Sequence, residues 1–141
     1  MQLISTNICK TSDIGVNENL FGGRMLSWLD EAGGIMASDV CRSANIITLK
    51  MDEVLFLRPV KVKEQIRIYG KVDRIGNTSI SLILEARRNC VEESAESLVC
   101  STKMLETHTQ LPEGLMPTIG GPGTRPEPTT AHHMARRRPP L

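Results

Sequence analysis

Apolar residues recur at every third or fourth position between residues 23 and 40, and this spacing predicts an α-helix. The apolar stripe is wide enough for a helix with most of its surface covered, and it consists of Met25, Leu29, Ala32, Met36 and Val40, flanked by Leu26, Gly33 and Ala37. Gly33 and Gly34 interrupt this helix, where each costs up to about 1 kcal/mol relative to alanine. We interpret the pair as a place where another backbone segment approaches closely.

On both sides of the helix the apolar positions change to a period of two, which predicts strands with one apolar face. The predicted strands lie at residues 3–10, 45–60, 66–73, 80–87 and 98–104, and Asp52-Glu53 interrupts the second of them. Gly76-Asn77 and the polar stretch 92–96 supply hairpin turns. The chain therefore reads as one strand, one long helix and four strands in an antiparallel meander.

A sheet with one apolar face and a single helix has a simple arrangement, in which the sheet wraps around the helix. The sequence thus predicts an α+β protein with the hotdog fold, in which an antiparallel sheet surrounds one long central helix. One such layer leaves a sheet edge and part of the helix uncovered. We therefore expect a homodimer or a higher multiple of dimers.

The composition changes sharply near Gln110. All prolines except Pro59 lie beyond it, together with glycines and the arginine run 136–138. A segment so poor in large apolar side chains cannot offset the entropy of ordering. We predict one domain over residues 1–109 and a disordered Pro/Gly/Arg-rich tail over residues 110–141.

Charge and composition exclude several classes of protein. The formal net charge of +1 and the aromatic content of 3% argue against a nucleic-acid partner. No apolar run approaches the roughly 20 residues of a membrane helix, and the first residues lack a signal-peptide profile. The cysteines, at positions 9, 41, 90 and 100, are too dispersed for a metal site. We expect free thiols, no metal, no membrane association and a cytoplasmic protein.

Asp30 is the main candidate for chemistry, because it lies on the flank of the helix's apolar face. A carboxylate there is paired, capped by a neighbour, or functional. Gly22 and Gly23 begin the helix, where free backbone N–H groups can hold a carbonyl oxygen as it becomes an oxyanion; a plain turn is the alternative. Gly23 and Asp30 are roughly 10 Å apart along the axis. A site that uses both therefore needs the first helical turn of a partner subunit.

The sequence offers few histidines for catalysis. The only histidine before the predicted tail is His108, at its margin. Ser-His and Cys-His nucleophile systems both need an imidazole, so carboxylate chemistry is the expectation.

Residues 13–31, which read DIGVNENLFGGRMLSWLDE, resemble the signature of the hotdog acyl-CoA thioesterases. Residues 45–60 and 67–86 are similar to strands of that family, and the resemblance covers roughly residues 3–108. It implies that Asp30 is the nucleophile or general base and that Gly22 and Gly23 form the family's glycine turn. It also implies that no cofactor is needed.

The resemblance extends to the binding of coenzyme A. The turn GNTS is similar to the family's Gly-x-Ser segment near bound CoA, which makes Gly76, Thr78 and Ser79 binding candidates. Several basic side chains can contact the CoA phosphates, and they include Arg58, Lys61, Lys63 and Arg74.

The chain departs from the family pattern at two positions. Gly15 stands where the family has the Asn of an Asp-Thr-Asn loop, and Glu18 stands where it has a glycine. Asn17 or Asn19 takes over the amide role if the loop is shifted. The expected function is hydrolysis of acyl-CoA thioesters to CoA and a carboxylate.

Three other functions stay open. The departures favour a non-catalytic acyl-CoA-binding or sensing module. A hotdog dehydratase fits less well, because those enzymes use a histidine together with an acid. A purely structural dimer is the remaining possibility.

Overall fold

The computed structural model describes residues 1–108, which form one long helix and five strands. The strands are β1 (Gln2–Ile8), β2 (Ile46–Phe56), β3 (Gln65–Ile75), β4 (Ser79–Cys90) and β5 (Ala95–His108), and helix α1 (Gly22–Cys41) lies between β1 and β2. The predicted helix and strands are confirmed, although β5 continues beyond the predicted residue 104. The predicted tail, residues 110–141, lies outside the described residues.

The strands form one antiparallel sheet in the order β1-β3-β4-β5-β2. β3, β4 and β5 are consecutive hairpin partners, but β2 pairs with β5 rather than with β3. The predicted meander is therefore wrong in the position of β2. The reason is that β1 pairs with β3 from Gln2 to Ile8 and so occupies the edge that a meander would give to β2.

The core forms between α1 and the sheet face that it covers. Alternate residues of the central strands are fully buried, namely Ile66, Ile68, Ile80, Leu82 and Leu84. α1 contributes its predicted stripe to the same core, except that Val40 is 38% exposed. Burying one such side chain stabilises the folded chain by about 1.5–3 kcal/mol. The apolar residues of the helix and those of the strands form the two sides of a single core. The sheet and helix thus have the predicted α+β arrangement.

Two backbone features shape β2, which forms one edge of the sheet. α1 ends at Cys41 and is capped by Arg42, whose left-handed φ of 51° reverses the chain, and β2 begins four residues after Arg42, at Ile46. Glu53 has a φ of 53° at a register shift between Asp52 and Leu55, which makes a β-bulge at the predicted interruption. Large apolar side chains along this edge are about half exposed, namely Ile47, Leu49, Leu55 and Phe56.

Three of the expectations, on membrane helices, metal sites and cysteines, can be compared with residues 1–108. No helix within these residues combines the length and the apolarity needed to cross a membrane. Over the same residues, no three His, Cys, Asp or Glu side chains come together as metal ligands would. The four cysteines are free thiols, and Cys9, Cys41 and Cys100 are buried.

Candidate active site

The Asp30 side chain reaches from α1 to the edge strand of the sheet. Asp30 is exposed, and its Oδ1 accepts a hydrogen bond of 2.5 Å from Oγ1 of Thr48 on β2. The short connection at residues 42–45 places the helix and β2 next to each other. Of the possibilities that the sequence left open for Asp30, pairing with a neighbour is therefore observed.

Thr48 connects Asp30 to a second carboxyl group in the core. Its Oγ1 lies 3.0 Å from each side-chain oxygen of Glu106, which faces Thr48 across the β2–β5 pairing. Glu106 is 0% exposed. These three side chains form a continuous hydrogen-bonded series from solvent to core, which we call the Asp30 cluster.

Gly33 lets the helix approach this cluster. A Cβ added to Gly33 would lie 2.8 Å from Sδ of Met104 and 3.1 Å from Oε1 of Glu106. Another part of the chain does approach Gly33 closely, but the predicted backbone contact is wrong, because side-chain atoms make the approach. A Cβ added to Gly34 would meet nothing within 4 Å, so the interpretation is wrong there.

The two carboxyl groups of the Asp30 cluster have different environments. Burial raises the pKa of Glu106 to about 7; the hydrogen bond from Thr48 opposes this shift, and the charge of Asp30 adds to it. Asp30 lies at the surface, where its charged form is hydrated. A buried acid that titrates near neutrality beside an exposed carboxylate is an arrangement that suits proton transfer.

His108 is the other buried titratable group at this end of β5. It lies two residues beyond Glu106 and therefore on the same face of the strand. Its side chain is 3% exposed, and neither ring nitrogen has a hydrogen-bond partner among residues 1–108. Burial lowers the pKa of His108, which favours the neutral imidazole.

A cavity of about 460 Å³ opens at the start of α1. Three predicted site residues line it, namely Asn17, Gly22 and Arg58. The N-cap residue Phe21 makes no side-chain hydrogen bond to the first turn, which leaves backbone N–H groups there for a ligand. Gly23 does not line the cavity; a Cβ there would lie 2.6 Å from Cε2 of Phe21.

The loop before the helix brings two amides to this cavity. Asn17 and Asn19 both line it, and Asn17 is exposed. The Oδ1 atom of Asn19 is buried and has no hydrogen-bond partner among residues 1–108. Gly15 also lines the cavity but offers no side chain. Of the two predicted substitutes for the family's amide, Asn19 is the one with an unsatisfied polar atom.

The predicted CoA-binding residues divide into two groups. Gly76, Thr78 and Ser79 form the β3–β4 turn, in which the Gly76 N–H donates to the Ser79 carbonyl at 2.7 Å. Arg74 is exposed nearby at the end of β3. None of these four residues lines the cavity at the start of α1, where Arg58 lies.

The β3–β4 turn lies near the Asp30 cluster. Ser79 pairs with Thr107, the residue that follows Glu106, and the Thr107 hydroxyl donates to the Thr78 carbonyl. Within one chain, the turn and the Asp30 cluster therefore share one end of β5. Arg58, Asn17 and Gly22 lie together at the helix start.

Comparison with known proteins identifies the family. A sequence profile of the thioesterase superfamily matches residues 17–90, which is more than half of the chain. The chain belongs to this superfamily. It is 30% identical over 84 residues to the acyl-CoA thioester hydrolase YciA of Salmonella typhimurium, a match that covers 60% of this chain and 62% of the relative. The hydrolase of the same name from Escherichia coli is 29% identical over 83 residues, covering 59% and 62%.

The match thus spans less than two thirds of the length of these relatives. Solved structures extend the likeness. A hexameric hotdog fold thioesterase of Campylobacter jejuni superposes with a TM-score of 0.70 at 31% identity, covering 78% of this chain and 84% of that one. An acyl-CoA hydrolase of Staphylococcus aureus, solved with butyryl coenzyme A and coenzyme A, has a TM-score of 0.75 at 20% identity, with 83% and 70% covered. The predicted hotdog fold is confirmed.

Sequence reasoning missed two members of the Asp30 cluster in this thioesterase-superfamily chain, Thr48 and Glu106. One signal was available, because the alternation that puts Thr102 and Met104 on the inward face of β5 continues to Glu106 and His108. His108, which the sequence places at the margin of the predicted tail, is the last residue of β5, and its side chain faces the core.

Proposed function

We propose that this chain hydrolyses acyl-CoA thioesters to free CoA and a carboxylate, without a cofactor. The observation that carries the proposal is the exposed carboxylate of Asp30, which accepts a hydrogen bond from Thr48 on β2. Asp30 lies on the central helix of a hotdog thioesterase-superfamily member. The names of the relatives and the CoA ligands of the Staphylococcus aureus neighbour support acyl-CoA as the substrate class.

Asp30 acts on the thioester in one of two ways. As a general base, it takes a proton from water while the water oxygen attacks the carbonyl carbon. As a nucleophile, it forms an acyl anhydride that water then hydrolyses. In both routes the C–S bond breaks and the CoA thiolate leaves. Since Thr48 holds Oδ1, we assign the reacting role to Oδ2.

The oxyanion that forms at the carbonyl needs hydrogen-bond donors. The first turn of α1, at Gly22 and Gly23, offers N–H groups, but Gly23 is roughly 10 Å along the axis from Asp30 of the same chain. The donors therefore come from a partner's helix. The half-exposed apolar side chains along the β2 edge support a homodimer, and the hexameric Campylobacter jejuni neighbour is consistent with a multiple of dimers.

The same assembly accounts for the separation of the predicted CoA-binding residues. In a dimer, one site combines the Asp30 cluster and the residue 76–79 turn of one chain with the helix-start cavity of the other. Arg74 then lies with the turn and Arg58 with the cavity, so that both contact CoA phosphates from opposite sides. Asn17 and Asn19 orient the thioester or the water.

Release of free thiol from acyl-CoAs of short, medium and long chain tests this function, with wild type compared with Asp30→Asn. We expect turnover in the wild type and a loss of about 10²-fold or more in the variant, because an amide neither attacks nor accepts a proton. Glu31→Gln is the matched control, since it removes a neighbouring exposed carboxylate from the same helix. It should keep wild-type turnover.

Two results would redirect the proposal. Saturable CoA binding without thiol release from any chain length would favour the acyl-CoA-binding module, and Gly15 in the cavity wall would then be the reason. Equal losses in Asp30→Asn and Glu31→Gln would mean that the helix, rather than one carboxylate, was disturbed.

A further inference from the structure

Glu106 is a carboxyl group with an unusual position, because it is fully buried and has a single hydrogen-bonding neighbour, Thr48, among residues 1–108. Both of its oxygens lie 3.0 Å from Thr48 Oγ1, and no Lys or Arg among residues 1–108 forms a salt bridge with it. Buried charges are normally paired. A fully buried carboxyl group without a cation is more stable when it carries a proton.

The positions of the hydrogen atoms in the Asp30 cluster determine which side chain donates each hydrogen bond and which accepts it. The Thr48 hydroxyl has one proton, but acceptor oxygens of both Asp30 and Glu106 lie within hydrogen-bonding distance of it. If both acids were ionised, they would compete for this proton. If Glu106 is protonated, it donates to Thr48 Oγ1, and the Thr48 proton is then free to bind Asp30 Oδ1.

We propose that Glu106 is a positioning residue for Asp30, in which the neutral carboxyl group orients the Thr48 hydroxyl toward Asp30 Oδ1. This inference rests on the proposed thioesterase function for its effect on activity. Glu106 touches neither substrate nor the reacting atoms. It fixes one oxygen of Asp30 through Thr48, so that Oδ2 stays aimed at the thioester.

The groups around Glu106 support its neutral form. From α1, Asp30 contributes a negative charge, and Gly33 contributes no side chain. From β5, His108 lies on the same face and is itself held neutral by burial, which lowers its pKa. Burial raises the pKa of Glu106 to about 7, so that its proton is lost as the pH rises through about 7.

The test compares kcat and KM for acyl-CoA hydrolysis in wild type, Glu106→Gln and Glu106→Leu across about pH 5.5 to 8.5. The Gln amide donates to Thr48 at every pH, so the ratio of its kcat to that of the wild type should rise up to about tenfold above pH 7. Leu removes the donor but keeps the bulk, so its kcat should be about tenfold below that of the wild type at the lowest pH and should approach the wild-type value above pH 7, with little change in KM.

Thr102→Val is the matched structural control, because Thr102 is another buried polar side chain on the inward face of β5. It should leave the pH profile of kcat unchanged. A Glu106→Gln profile parallel to that of the wild type, or a wild-type kcat in Glu106→Leu at about pH 5.5, overturns the proposal.

A measurement without substrate separates this proposal from the proposed function. Carbon-13 NMR of the Glu106 carboxyl group should give a midpoint near 7 in the wild type and a different one in Thr48→Val, because this substitution removes the hydrogen-bonding neighbour of Glu106. The same midpoint in both proteins overturns the role of Thr48 as the partner of Glu106, even if Glu106→Leu fails to fold. If the wild type hydrolyses no acyl-CoA, the proposed function fails, and this titration still decides the proton arrangement.

Discussion

Replacing Glu106 by glutamine tests how strongly one buried carboxyl group couples folding to pH. Burial raises the pKa of Glu106 in the folded chain to about 7, compared with an ordinary value of 4.5. Between these two values the folded chain keeps a proton that the unfolded chain has lost. The stability contributed by neutral Glu106 is therefore complete below about pH 4.5 and is lost as the pH rises through about 7.

The size of this effect follows from the separation of the two pKa values. It corresponds to about 3 kcal/mol, at about 1.36 kcal/mol for each pKa unit. Glutamine has a similar shape but does not titrate. The free energy of unfolding of the wild type minus that of Glu106→Gln should therefore fall by about 3 kcal/mol between acid and alkaline solution.

His108 is a second buried titratable group near Glu106, but the comparison removes its own effect. It is present in both proteins, so its own contribution cancels in the difference. The contribution of His108 also has the opposite sign, because burial lowers its pKa and the stability it provides is lost as the pH falls.

Urea denaturation followed by circular dichroism, at about four pH values from 5 to 8, measures this difference. Both proteins must be compared at one concentration, because association of subunits adds to stability. A difference that stays constant with pH would refute the reasoning, since it would mean that Glu106 does not bind a proton preferentially in the folded state. Thr102→Val, which changes a buried side chain that does not titrate, supplies the flat reference.

Two further predictions concern the helix. Gly33→Ala should lower kcat about tenfold, because the added Cβ displaces Glu106 and the flexible end of Met104. Its stability should not fall, since alanine stabilises the helix by up to about 1 kcal/mol relative to glycine. Gly34→Ala, whose added Cβ meets no atom within 4 Å, should change stability alone. Activity and urea denaturation of the two variants check this, and equal kcat values would contradict it. If a site combines two chains, co-expressed Asp30→Asn and inactive Gly22→Leu should recover about one quarter of wild-type turnover in thiol release. If the co-expressed variants are no more active than each variant alone, the whole site lies in one chain.

The elements of this fold could be predicted because their periodicity records burial directly. Leu29 and Ala32 repeat at the helical spacing and Ile66 and Ile68 at the strand spacing, and all four are buried in the structure. The position of β2 could not be predicted, because it depends on β1 occupying the edge of β3. Such a choice between partners leaves no local pattern in the sequence.

Only part of the candidate site could be predicted from the sequence. Asp30, Gly22 and Asn17 lie in one contiguous motif, whereas Thr48 and Glu106 become neighbours only through the register of β2 with β5. The alternation of β5 alone marked Glu106 as an inward polar residue. Only the pairing register identified its partner.

The spacing of the Asp30 cluster along the chain divides its assembly into an early and a late folding event. Asp30 and Thr48 are 18 residues apart, so that bringing them together closes a short loop and loses little chain entropy. Thr48 and Glu106 are 58 residues apart and meet only when β2 pairs with β5 at the edge of the sheet. Because contacts between distant residues form slowly, we expect this pairing to be the later event and Glu106 to leave water in that step. Mutations that slow the joining of β2 will delay the recovery of activity during refolding while helical structure returns on time.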